Sequence, residues 1–173
     1  DGTTTVQPKY RRLMKLLEYC DAENVPLDAV GFQMHLPAWS CLRYSGSFSV
    51  EAAQLRSIRD ALRGVEEAGY TPIISEMDIR IGFPASGSND YLYLNDRMDG
   101  DNDSNPVVDR TYRWTGLTLS AREQLQKEVY ESILNASLAV TSLAAVLFWD
   151  ITDECSWLNM PGSIPAGVAT PGY

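Results

Sequence analysis

The chain of 173 residues contains one histidine, His35, and three cysteines, Cys20, Cys41 and Cys155. It has no CxxC pair and no histidine cluster, so the ligand spacing of a zinc site is missing. Three widely spaced thiols give no disulfide framework, and the odd count leaves at least one of them free or paired outside the chain. Basic residues are also few: 14 Lys and Arg stand against 23 Asp and Glu, for a net charge of −9 and a pI near 4.5. Without a basic stripe to meet phosphates, nucleic acid is not an expected partner. An anionic membrane surface is disfavoured for the same reason. No run of 18 apolar residues is present, so no transmembrane helix is expected, and no signal peptide is visible. What the chain does have is apolar content: hydrophobic residues make up 45 %, enough for a packed core.

Periodicity divides the chain into alternating helices and strands. Residues 8 to about 23 read as a helix, with Pro8 in its first turn and Leu13, Leu16, Leu17 and Cys20 as the apolar stripe. A strand over 30–36 follows. A second helix is expected from about Ser49 to Ala68, with Ser49 as N-cap, Glu51 in the first turn and Gly69 just past the end. Its buried face is Leu55, Ile58, Leu62 and Val65. A strand over 71–81 comes next. A third helix opens on Ser120-Ala121-Arg122-Glu123, which fits a capping box, and buries Leu125, Val129 and Ile133. The last strand is expected over 144–151. This β-α-β-α-β order implies an α/β fold with parallel strands and right-handed crossovers.

Chemistry concentrates in Ile73-Ile74-Ser75-Glu76-Met77-Asp78-Ile79. Strand side chains alternate faces, so Glu76 and Asp78 point the same way, and Ile74 is expected to share their face. Carboxylates on a buried strand are costly unless they have partners or a task. Two other strand-like runs also end in polar or aromatic residues. One is Val30-Gly31-Phe32-Gln33-Met34-His35-Leu36, and the other runs from Ala144 through Phe148-Trp149-Asp150 to Asp153.

Residues 82–119 break the rhythm. The usual connection in such folds is about 2–6 residues, and this one is rich in Asn, Asp, Ser and Gly with Tyr91, Tyr93, Tyr112 and Trp114 interleaved. It reads as a surface insertion or as an extra wall for a binding cleft. Asp99-Gly100-Asp101-Asn102-Asp103 resembles the start of a calcium loop, but Ser104 replaces the sixth-position glycine and Arg110 the twelfth-position glutamate. Asn102-Asp103-Ser104 and Asn135-Ala136-Ser137 match glycosylation acceptors.

Three segments taken in order, Gln33-Met34-His35-Leu36, Ser75-Glu76-Met77-Asp78-Ile79 and Trp149-Asp150-Ile151-Thr152-Asp153-Glu154-Cys155-Ser156-Trp157, resemble the last three barrel strands of family 10 glycoside hydrolases, the retaining endo-xylanases. The resemblance runs from Pro8 to Trp157 apart from the insertion. It implies the C-terminal portion of a (β/α)₈ TIM barrel, incomplete on its own, since such a barrel typically takes about 250 residues. Residues 1–173 are then one partial glycosidase-like barrel with an inserted loop at 82–119. The remaining strands are expected in another chain or elsewhere in a longer precursor.

The resemblance also assigns roles. Retaining hydrolysis needs two carboxyl groups about 5–5.5 Å apart. By resemblance Glu76 is the nucleophile, His35 bonds it, and Asp78 lies behind the imidazole. Trp149 and Trp157 are implied sugar contacts, and Gln33 bonds a substrate hydroxyl or a catalytic carboxylate. The implied partner is a β-1,4-linked polysaccharide such as xylan, the setting extracellular or secretory, with no metal and no cofactor. Asp150 stands where the family usually has glycine, and Cys155 where it often has an aromatic. No residue matches the family's general acid, and Asp153 occupies a different place. The alternative is a barrel-derived structural or carbohydrate-binding component without activity.

Overall fold

The computed structural model describes residues 8–81, 114 and 116–149. Most of the 82–119 insertion lies outside these residues, including the calcium-like 99–103 segment and Asn102. So do Asp150, Asp153, Cys155 and Trp157.

The first helix, α1, spans Pro8–Ala22. It ends where Asn24 turns left-handed at φ 55° and the Val25 N–H donates to the Cys20 carbonyl. Leu17 is buried, and Leu13 and Met14 pack with it against Val30, Val65 and Tyr70. Centring the contact on Leu13, Met14 and Leu17 turns Leu16 outward, where it is 56 % exposed. The expected stripe therefore fails at Leu16.

Strand β1 covers Ala29–Pro37. A 3-10 turn, Ala38–Cys41, leads into a short antiparallel hairpin of β2 (Leu42–Tyr44) and β3 (Phe48–Val50). Gly46, at φ 77°, supplies the turn. The hairpin was not expected from sequence, and it corrects the start of the next helix. Ser49 is a strand residue opposite Arg43, whose Nε donates to the Ser49 hydroxyl at 3.2 Å. The cap of α2 (Ala52–Glu67) is Glu51, which accepts from the Ala53 N–H at 3.2 Å. At the far end Gly69 takes φ 87°, with the Tyr70 N–H returning to the Val65 carbonyl. This is the left-handed helix stop that glycine accommodates without a Cβ clash.

Strand β4 runs Thr71–Arg80, helix α3 Leu119–Leu138, and strand β5 Val146–Phe148. The cap of α3 is Thr118, accepting from the Ala121 N–H at 3.3 Å, rather than Ser120. The ladder of β5 is shorter than expected. Backbone bonds continue beside it, from the Ala144 N–H to the Pro72 carbonyl and from the Trp149 N–H to the Met77 carbonyl.

The three long-range strands form one parallel sheet in the order β1-β4-β5. One hydrophobic cluster joins Met34, Ile74, Met77 and Ile79 of the sheet to Leu62 of α2 and Val129 and Ile133 of α3. Leu55, Ile58 and Leu125 pack partly buried against it. Around the C-terminal end of β1, Trp39, Cys41 and Leu42 are buried, and the Trp114 ring lies 6.0 Å from Trp39 and 5.8 Å from Phe48. The Trp114 indole N–H donates to the Ile81 carbonyl at 3.3 Å. Among the described residues no helix is long and apolar enough to cross a membrane.

Candidate active site

Simple alternation holds along β1. Val30, Met34 and Leu36 join the apolar clusters, with Phe32 beside them, and Gln33 and His35 take the other face. Along β4 the alternation breaks. Phe32 pairs with Ile74, but Gln33 pairs with Glu76, so β4 carries one extra residue there. The β5 side shows the same shift, since Ile74 pairs with Val146 and Met77 with Phe148. A bulge of this kind leaves two consecutive residues opposite one. Pro72 and Ile74 before it and Met77 and Ile79 after it are all buried. Glu76 and Asp78 are thereby delivered to the face of Gln33 and His35. The expectation that Ile74 shares that face is overturned, because the bulge inverts the register between them.

Four side chains from two strands meet on this polar face. Gln33 Nε2 donates to Glu76 Oε1 at 2.9 Å. His35 Nε2 lies 2.9 Å from Glu76 Oε2, and His35 Nδ1 lies 2.6 Å from Asp78 Oδ2. Both oxygens of Glu76 are thus held, and the imidazole is gripped between two carboxylates. A doubly protonated ring donates to both; a singly protonated ring donates to one and accepts from a protonated carboxyl at the other. The side chains are only partly solvated, at 27 % for His35, 17 % for Glu76 and 12 % for Asp78. Burial at this level calls for such partners.

Trp149 stands beside the ring. Its indole is 6.2 Å from the His35 ring, edge to face at 82°, and it is 48 % exposed. An aromatic face next to a fixed carboxylate suits a ligand with both apolar and hydroxylated surfaces. Trp157 lies outside the described residues. Among those described, no group of three or more His, Cys, Asp or Glu is placed to hold a metal ion.

Other groups support this face without having been singled out from sequence. Tyr130 Oη accepts from the Ile79 N–H at 2.9 Å, and Gln126 Nε2 donates to the Ile79 carbonyl. Helix α3 thus holds the backbone next to Asp78. Arg80 lies with its guanidinium 5.8 Å over the Trp39 ring. The bulge itself carries no local signal, because Ile73, Met77 and Ile79 also fit an unbroken alternation.

A sequence profile described as glycosyl hydrolase family 10 matches residues 2–166. The chain is 29 % identical to endo-1,4-beta-xylanase C of Phanerodontia chrysosporium over 150 residues, which are 87 % of this chain and 26 % of that protein. It is 26 % identical to endo-1,4-beta-xylanase B of Thermotoga neapolitana over 153 residues, 88 % of this chain and 32 % of that protein. The chain therefore spans between about a quarter and a third of these curated relatives. Among solved structures, native xylanase10C from Cellvibrio japonicus superposes with a TM-score of 0.59 at 21 % identity, over 91 % of this chain and 26 % of that one. Native xylanase 10B from Thermotoga maritima gives 0.54 at 23 % identity, over 91 % and 35 %. A mutant of the Cellvibrio xylanase10C has been solved in complex with xylopentaose. These neighbours are TIM barrels, and this chain covers part of one.

Proposed function

Because the chain belongs to glycosyl hydrolase family 10, we propose that it carries the nucleophile side of a retaining endo-β-1,4-xylanase site. The observation that carries this reading is the clamp on Glu76, both of whose oxygens are bonded, one by Gln33 and one by His35. A carboxylate fixed in this way is oriented for attack on an anomeric carbon. As the glycosyl–Glu76 ester forms, the glycosidic C–O bond breaks and the departing oxygen takes a proton from the general acid. Water, deprotonated by that same residue, then hydrolyses the ester and frees Glu76. Asp78, bonded to the other ring nitrogen, fixes how His35 presents itself to Glu76. Gln33 is shared between the nucleophile and a substrate hydroxyl. Trp149 supplies a face for a pyranose ring, and Trp157 is assigned a second sugar contact from the motif alone.

The general acid/base is a carboxyl on a barrel strand outside these 173 residues, about 5–5.5 Å from Glu76 in the assembled barrel. The substrate is xylan or a related β-1,4-linked polysaccharide. A polymer of that size is met outside the cell, which favours the extracellular or secretory setting.

The test is covalent trapping. A 2-deoxy-2-fluoro-β-xylobioside with a dinitrophenolate leaving group slows turnover of the glycosyl-enzyme while its leaving group drives formation. Incubated with the full-length protein that contains this chain, it should add one fluoroxylobiosyl unit to the peptide bearing Glu76. Labelling at another carboxylate would remove Glu76 from the role. No labelling, together with retained binding of xylo-oligosaccharide, would favour the inactive carbohydrate-binding reading.

A further inference from the structure

We infer that Gly31 is a positioning residue for Glu76, acting through the Ser75 bulge. The inference deepens the hydrolase reading and rests on it for its kinetic test.

The bulge belongs to the central strand, because β4 carries the extra residue relative to both β1 and β5. Neither neighbour bulges with it. Ser75 and Glu76 therefore emerge side by side on the polar face, where regular pleating would send one of them to the helices. Two consecutive side chains on one face need room on the adjacent strand. That room is at Gly31. A Cβ built there would lie 3.0 Å from Ser75 Oγ and 3.1 Å from Ser75 Cβ. The hydroxyl could rotate away. The Ser75 Cβ could not yield without moving the backbone of β4.

Glycine is not needed at this position for its backbone freedom. The glycines with positive φ among the described residues are Gly46 and Gly69, and Gly31 keeps an ordinary strand conformation that alanine also adopts. What the absent side chain provides is space. Gly31 and Gln33 lie on the same face of β1, two residues apart. An added methyl would push Ser75, and Glu76 with it, away from the strand that carries Gln33 and His35. Both bonds to Glu76 are 2.9 Å long and come from that strand. A displacement of a few tenths of an ångström lengthens both together and turns the attacking oxygen. Misplacement by about 1 Å can cost about 10²-fold in rate, so a smaller shift of this kind should cost about tenfold.

The experiment uses the full-length protein and three variants: Gly31→Ala, Ser75→Gly, and the two combined. The fluoroxylobioside labelling rate is measured against probe concentration, which separates the maximal rate from half-saturation. In parallel, ¹⁵N NMR of histidine-labelled protein reports the two His35 ring nitrogens, assigned by difference from a His35→Gln variant. Gly31→Ala should lower the maximal labelling rate about tenfold, leave half-saturation in place and move the Nε2 resonance. Adding Ser75→Gly should return the rate and the resonance to those of Ser75→Gly alone. A loss of general stability would not be repaired by taking more atoms away.

Gly31→Ala labelling at the parent rate with unmoved His35 signals would overturn the inference, as would a double variant as slow as Gly31→Ala. If Gly31→Ala does not fold, a folded double variant with restored labelling supports the contact, and one that is unfolded or slow overturns it. If the parent protein is not labelled at all, the hydrolase reading fails instead. The movement of the Nε2 resonance and its return on removing the Ser75 side chain then decide the positioning claim alone.

Discussion

Ile74 and Glu76 stand two residues apart on β4 and face opposite sides of the sheet. Ile74 is fully buried in the cluster that includes Leu62, Val129 and Ile133, while Glu76 bonds Gln33 and His35 on the polar face. Truncating Ile74 leaves a cavity between sheet and helices. Ile74→Ala should destabilise the fold by about 2–5 kcal/mol, read as a lower urea midpoint at unchanged slope. A loss below about 0.5 kcal/mol would show that Ile74 does not anchor the buried side of the bulge.

Glu76→Gln keeps the shape of the side chain and removes its nucleophilic oxygen. Hydrolysis of an aryl xyloside by the full-length protein should fall by about 10⁴-fold or more. Asp78→Asn tests the next link. An amide meets His35 Nδ1 with either an N–H or a C=O and no longer fixes which ring nitrogen carries the proton. The kcat should fall by about 10²–10⁴-fold with KM little changed. Equal turnover in either variant would remove that residue from the mechanism.

Tyr130→Phe removes the hydroxyl that accepts from the Ile79 N–H. Ile79 is 2 % exposed, so water does not readily replace that acceptor. The expected cost is about 1–3 kcal/mol, the desolvation penalty of an unpaired buried donor. Urea unfolding of the variant measures it, and amide exchange at Ile79 should quicken. Protection of that amide at the parent level would show that it has another acceptor.

A pH dependence follows from Glu66. Ser142 and Thr141 bond its carboxylate, with the Thr141 hydroxyl and the Ser142 N–H each at 3.1 Å. These bonds, aided by Arg63, hold it below its usual value of 4.5. A carboxyl lowered in the folded state binds protons more readily when unfolded. Its contribution is therefore present above that usual value and is lost as pH falls through the folded one. Glu66→Gln should lower Tm at about pH 6, and the gap to the parent protein should close below the usual carboxylate value. A gap that stays constant down to about pH 3 would assign the loss to packing instead.

Cys41 should be chemically silent. It is fully buried, and burial pushes its thiol up to about 11, with the Ser40 contact pulling weakly the other way. At pH 8 about one thiol in a thousand is then ionised, before access is considered. Peptide mapping after iodoacetamide treatment should find Cys41 unmodified in native protein and modified in denaturant. Cys20 is half-buried and should react first. Native alkylation of Cys41 at a rate equal to that of Cys20 would mean that the turn over 38–41 opens readily.

The sequence alone determined the order of the three helices and the three parallel strands, and the chemistry they carry. Leu62 and Val65, or Val129 and Ile133, recur at helical spacing, and a helix with such a stripe must bury it whatever lies around it. The spacing of Gln33 to His35 and of Glu76 to Asp78 likewise placed each pair on one face, because both pairs sit within regular stretches of strand. Tertiary structure decided the rest. Whether Ser75 pleats regularly or bulges depends on β1 and β5, which lie about 40 and 70 residues away, and no local propensity contains that information. The cap at Glu51 follows a similar rule, since the β2–β3 hairpin claims Ser49 before the helix can use it. The clamp on Glu76 belongs to this second class. Its residue types were legible, but the half-turn of register that brings them together comes from one extra residue fitted between two partner strands.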